Sequence, residues 1–351
     1  VRLGVLAASV LSMLSTIGFS QVPASPLKAV APETGRAFAE AHSRVDIGGG
    51  RRLNLYCTGS GDQTVLFDAG GSDWSVVWAL VQPAISAQAR ACSYDRAGLG
   101  RSDPAAGPRT PVAIAEDLHA LIAAAELKTP LVLVGHSLGG FNVKLYAALY
   151  PEDVAGLVLV DPAEERSGER SRSLLRSRYG DAFAARSELL DLTALGGIVE
   201  RYRGCAERAR EQELDPTTIA YRRCADPERP ALGPDIAVAR RRIQVTPAYQ
   251  AAQASEIANS VYGNAAADPV YAGLFRAGRL GKTPVIVLTH GRYDAADPLD
   301  AAGQASGLAL HAETASLSKL GRHRVVPDTG HYIQLDAPDA VIAAIREVLA
   351  R

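Results

Sequence analysis

Gly135-His136-Ser137-Leu138-Gly139 sets one hydroxyl between two glycines, directly behind the apolar run Leu131–Val134. A serine hydroxyl is a poor nucleophile at neutral pH; it needs a base in hydrogen-bond reach, and the base needs a carboxylate to orient it. The flanking elements fit that use. The apolar run reads as a buried strand, and Phe141, Val143, Leu145 and Tyr146 begin an amphipathic helix at once, so Ser137 falls on a sharp strand-to-helix turn. Strand and helix nearly touch at such a turn, so its neighbours must be small, which Gly135 and Gly139 satisfy. His42, His119, His136, His290, His311, His323 and His331 are the candidates for the base.

From the third strand to the last helix the chain resembles the α/β-hydrolase family. The resemblance implies an α/β fold: a mostly parallel central sheet flanked by helices, with a helical cap insertion. It makes His331 the base, because His331 follows Arg324-Val325-Val326 and Gly330 and precedes the closing helix. The acid then has two placements. Asp294, in His290-Gly291-Arg292-Tyr293-Asp294, matches the usual position after strand seven and is the favoured expectation; Asp161 matches the variant after strand six. Asp297 is a third, weaker candidate. His136 is expected to turn its ring away from the chemistry, and His290 counts as a decoy that ends a strand.

In Asp68-Ala69-Gly70-Gly71-Ser72-Asp73-Trp74 the family's usual His-Gly pair is replaced by Ala69-Gly70. An oxyanion hole needs only backbone N–H groups aimed at the developing charge. Gly71 is therefore the expected first donor and Leu138, which opens the helix, the second. Trp74 and Trp78, four apart on the helix expected next, read as core. Asp95 and Arg96, in the segment resembling the family's strand-four loop, read as a charged pair that locks this loop. Thr110-Pro111 caps a helix through Leu127.

With 351 residues, 47% hydrophobic and 21% charged, the chain can bury a large core, and its formal net charge of -1 gives nucleic acid no electrostatic footprint. Arg2 and the apolar stretch Leu3–Phe19 read as a secretory signal, 1–24, with an uncleaved anchor as the alternative. No stable membrane span is expected after cleavage, and the location is secreted or periplasmic. Residues 25–162 and 281–351 form the hydrolase core; 163–280 form the mainly helical cap, whose Arg and Glu read as solvated faces. In an exported protein four cysteines suggest two disulfides. The family's strand order makes the strands of Cys57 and Cys92 neighbours, leaving Cys205 to Cys224 within the cap.

No nucleotide loop, dinucleotide fingerprint or clustered metal-ligand spacing occurs, so no cofactor and no metal are expected. Ser137 at the elbow argues against the related dehalogenases and epoxide hydrolases, which carry aspartate there. The reading is an exported serine hydrolase acting on a small ester through an acyl-enzyme. Thioesterase, lactonase, aminopeptidase and cofactor-free perhydrolase activities share the same triad, and a non-catalytic ligand-binding protein on this scaffold is the alternative of another class. Oligomeric state is left open.

Overall fold

The computed structural model describes residues 29–165, 167–260, 271 and 273–351, so the expected leader at 1–24 lies outside the described residues. One sheet runs through the core, built from β1 (Ser43–Asp46), β2 (Arg52–Thr58), β3 (Thr64–Asp68), β4 (Arg90–Tyr94), β5 (Leu131–His136), β6 (Val154–Val160), β7 (Val285–His290) and β8 (Gly321–Val326). Their order is β1-β2-β4-β3-β5-β6-β7-β8. β2 pairs antiparallel with β1 and β4, and every later pairing is parallel.

Parallel strands covered on both faces must be apolar throughout, because successive side chains point to opposite sides. Thus Val132 and Val134 of β5 enter one core while Leu131 and Leu133 enter the other, and Val158 and Val160 of β6 face away from Leu157 and Leu159 in the same way. Trp74, Trp78 and Ile85, from α2 (Gln82–Ser86), fill the first core with Val341 and Ile345 of the helix Pro338–Leu349. α3 (Pro111–Ala124) and α4 (Leu138–Leu149) fill the second through Leu118, Leu121, Val143 and Tyr146. Both tryptophans are core, as expected, but Trp78 ends a 3₁₀ turn, Ser75–Trp78, instead of lying on an α-helix with Trp74. The Thr110 hydroxyl caps α3 by accepting from the Ala113 N–H.

Between β6 and β7 the described residues contain α5 (Ser167–Tyr179), α6 (Asp181–Glu211), α7 (Ile219–Cys224), α8 (Gly233–Gln244) and α9 (Pro247–Asn259), and no strand. α8 carries the N-terminal α1 (Pro32–Ala39) against it. Disulfides join Cys57 to Cys92, which are register partners on β2 and β4, and Cys205 to Cys224, which tie α6 to α7. The charged residues of this insertion are not all solvated, contrary to expectation: Arg240 is 3% exposed and Glu256 1%. Both are buried because each meets an opposite charge rising from the core.

Candidate active site

Ser137 stands between β5 and α4 at φ 51 and ψ -121, a backbone state that a non-glycine residue holds only when its surroundings enforce it. Its N–H donates to the Val160 carbonyl (3.0 Å), and its own carbonyl accepts from Phe141 (3.2 Å) and Ala163 (2.9 Å). Crowding explains the glycines. A Cβ on Gly135 would stand 2.3 Å from the Gly139 carbonyl oxygen, and one on Gly139 2.3 Å from that of Ala69.

His331 follows β8 and gives its Nδ1 to Asp161 Oδ2 at 2.6 Å. Asp161 is the first residue after β6, at φ 46, and the next residue's carbonyl is held by His311 Nε2 at 3.0 Å. The geometry does not bring Asp294, the favoured acid, to His331. Asp294 is exposed and closes its own turn: its Oδ1 accepts from the Ala296 N–H at 2.9 Å, and its N–H donates to Asp300 Oδ2 at 2.6 Å. Asp297 caps the helix Pro298–Ala315 by accepting from Leu299.

Asp161 also receives His290, through Nδ1 on Oδ2 at 2.8 Å and the backbone N–H on Oδ1 at 3.2 Å. The residue set aside as a decoy therefore shares the carboxylate with His331. Neighbouring strands carried the signal: β6 and β7 run parallel with Val160 opposite Leu288, so the chain leaves both strands at one level of the sheet. Burial pushes the Asp161 carboxyl up, but the two imidazole hydrogen bonds and their charge outweigh it and hold the group far below the usual carboxylate range. An ionised carboxylate only accepts, so both Nδ1 atoms carry protons. Neutral His331 then keeps its lone pair on Nε2, the tautomer a general base requires. Asp161, His290 and His331 are also a group among the described residues whose donor atoms lie within 4.8 Å of one another. Both ring nitrogens lie within direct hydrogen-bond reach of Asp161 Oδ2, at 2.8 and 2.6 Å.

His136 lies wholly buried below the Gly70-Gly71 turn. Its Nε2 donates to the His331 carbonyl at 2.9 Å, and its Nδ1 has no partner among the described residues. A Cβ on Gly70 would come within 2.8 Å of that Nδ1 and 3.4 Å of Ser137 Cβ, so the turn rests directly on the elbow. Burial first, and the neighbouring His331 second, lower His136 to about 3 and keep it neutral. The ring is a packed support for the loop of His331.

Asp95 and Arg96 do not pair with each other. Asp95 accepts from Asn54, from the Ser75 N–H and from the Arg101 N–H, which locks its own loop. Arg96, 1% exposed, bridges Asp68 (2.7 Å) and Glu256 of α9 (2.7 Å), and donates to the carbonyls of Ala69 (2.6 Å) and Gly70 (2.7 Å). Tyr249 takes the Ser72 carbonyl at 3.0 Å. The Gly71 N–H has no acceptor among the described residues, nor has that of Leu138 at the start of α4. A Cβ on Gly71 would lie 3.7 Å from the Leu138 side chain, so both amides belong to one corner.

The insertion seals this corner with a second ionic knot. Arg240 of α8 bridges Asp73 and Asp226 at 2.5 Å each, Arg229 bonds Asp226 at 2.6 Å, and Tyr332 donates to Asp73 at 3.0 Å. Asp73 is fully buried; burial pushes it up, and the two guanidinium charges more than reverse this. Sequence patterning missed the knot because a buried and a solvated arginine look alike on an Arg-rich helix.

Residues 63–338 match the family model of the alpha/beta hydrolase fold. The chain belongs to the alpha/beta hydrolase family. This hydrolase-fold chain is 39% identical over 109 residues to a probable transporter, efuK, of Hormonema carpetanum, a match covering 30% of this chain and 16% of that protein. It is 36% identical over 105 residues to a (lyso)-N-acylphosphatidylethanolamine lipase of Mus musculus, covering 29% of this chain and 31% of that one. The chain thus spans less than half the length of these curated relatives. The solved structure of a thermophilic esterase from Thermogutta terrifontis covers 88% of this chain and 96% of its own at a TM-score of 0.52 and 23% identity, which shows a shared fold. No helix among the described residues is long and apolar enough to cross a membrane.

Proposed function

We propose that this alpha/beta hydrolase is a serine esterase in which Ser137 is the nucleophile, His331 the base and Asp161 the carboxylate that orients it. The observation that carries the reading is the 2.6 Å bond from His331 Nδ1 to Asp161, on a loop whose backbone is bonded to His136 beside the elbow serine. Ser137 Oγ attacks the ester carbonyl as His331 Nε2 takes its proton, and the N–H groups of Gly71 and Leu138 receive the oxyanion. His331 then returns the proton to the departing alcohol. Water, deprotonated by the same nitrogen, attacks the acyl carbon, and His331 returns that proton to Ser137 Oγ as its bond to the acyl group breaks and the acid leaves. Residues 163–280 act as the cap, anchored at Asp73 and Arg96 beside the oxyanion turn. Two disulfides suit an oxidising compartment, secreted or periplasmic, and hydrolysis of a small-molecule ester through an acyl-enzyme needs no cofactor.

A chain-length series of p-nitrophenyl esters, given to the protein and to Ser137→Ala, tests this. Hydrolysis that disappears in the variant, together with fluorophosphonate labelling confined to Ser137, is the expected result. An inert wild type that also fails to label overturns the esterase reading and favours a binding role for the scaffold.

A further inference from the structure

One carboxylate serving two imidazoles is more than a serine nucleophile requires. Among the described residues His290 supplies two of the three hydrogen bonds to the Asp161 carboxylate, one from its ring and one from its backbone; His331 supplies the third. Asp161 is 5% exposed, so these bonds, not solvent, hold its orientation. His290 is itself braced, because Gln304 of the helix Pro298–Ala315 donates to its carbonyl at 2.8 Å.

We propose that His290 is a positioning residue of this site, which holds Asp161 in the orientation His331 needs and extends the range over which His331 stays a free base toward acid. The proposal rests on the esterase reading above. The charged and titratable groups facing the His290 ring are Asp161 after β6, Asp300 on the helix Pro298–Ala315, and His331 after β8. Its hydrogen bond to Asp161 raises the proton affinity of His290 above the ordinary imidazole range, with burial opposing and the Asp161 charge adding.

Two imidazoles on one carboxylate titrate as a linked pair, the first proton opposing the second. The first settles on His290, whose ring nitrogen stays a donor to Asp161 whether charged or neutral. That positive charge then resists a proton on His331 Nε2, the event that would end general-base catalysis. The same charge draws on Asp161, so the imidazolium formed on His331 during reaction is stabilised less. The device trades some rate for activity at lower pH.

Rates of p-nitrophenyl acetate hydrolysis, read by pH-stat from pH 4.5 to 9 for wild type, His290→Asn and His290→Ala, test the proposal. The asparagine amide keeps a donor near the place of Nδ1 and removes the charge. Its acid limb in kcat/KM is expected to move up by about one pH unit, with plateau kcat held within about threefold. Alanine removes the donor as well, and kcat is expected to fall about 10- to 100-fold with KM unchanged, as for a misplaced catalytic group. Acid limbs that superimpose, or an alanine variant with full kcat, overturn the proposal; if the alanine protein does not fold, the asparagine profile decides.

A wild type inert on this ester sinks the esterase reading instead. Nitrogen-15 titration of the imidazoles in full-length Ser137→Ala then judges the pairing alone. Linked two-step titration of His290 and His331 that collapses in Asp161→Asn upholds it, and independent single steps refute it.

Discussion

At Asp161 and Asp294 the structure reverses the preference of the sequence, which favours Asp294: the bond to His331 is made by Asp161. Asp161→Asn is expected to lower kcat about 10⁴-fold by leaving His331 in the wrong tautomer, while Asp294→Asn, which disturbs only an exposed turn, stays within about threefold. Side-by-side kinetics on one ester check both, and equal losses would break the assignment. The buried His136 makes a second expectation. Its folded value of about 3 lies below the ordinary 6.5, so between those values the unfolded chain binds more protons and stability falls as pH falls. From pH 7.5 to pH 5 wild type should lose about 2 kcal/mol more than His136→Asn, whose side chain does not titrate. Urea unfolding at the two pH values measures that difference, and a difference near zero rejects it.

Among the elements, glycines separate by what surrounds them. Gly139→Ala drives a Cβ into the Ala69 and Asp68 carbonyl oxygens, 2.3 and 2.6 Å away, and should cost about 2–3 kcal/mol. Gly303→Ala, in the helix Pro298–Ala315 with nothing within 4 Å of the new carbon, should gain about 0.5–1 kcal/mol. Thermal melts showing the same sign for both would contradict this. The same contrast explains what could be read in advance. β5, β6 and β7 announce themselves because burial on both faces demands unbroken apolar runs, and the elbow because its glycines have no alternative. The helix Pro338–Leu349 shows its apolar stripe as plainly. Asp161 gave no comparable sign: its bond to His331 spans 170 residues, and only the sheet order, with β6 and β8 on either side of β7, brings the loops after them together. Local propensity has no access to adjacency. Arg96 was legible as a lock but not in its partners, Asp68 and Glu256, 28 and 160 residues away.

On the scale of the whole molecule, the insertion is held covalently within itself and electrostatically to the core. Cys205→Ser should lower stability by about 3 kcal/mol through the 19-residue loop it opens, and should raise the protease sensitivity of α6 and α7 before that of the sheet. Limited proteolysis with and without reductant gives the order of cleavage; simultaneous loss of both regions would show that the insertion has no separate stability. Lys144 marks the other hinge of the same roof. It is fully buried on α4 and bonds Glu164 at 2.7 Å and Glu165 at 2.6 Å, where the chain leaves the core. Lys144→Met takes the buried cation from those two carboxylates and leaves them Arg170, with Thr314 still on Glu164, and should cost about 3 kcal/mol, visible as a lowered urea midpoint.

Arg240 on Asp73 and Glu256 on Arg96 also decide what kind of part the insertion is. Recombining this core with the roof of another relative is not an exchange of interchangeable modules. A graft without a guanidinium over Asp73 and a carboxylate over Arg96 would leave Asp73, in the turn that bears Gly71, with no counter-charge, and Arg96, which grips that turn's carbonyls, with only one of its two carboxylates. Chimeras that copy only the shape of the roof should therefore lose turnover before they lose substrate binding, and restoring the two cross-boundary charges should return it.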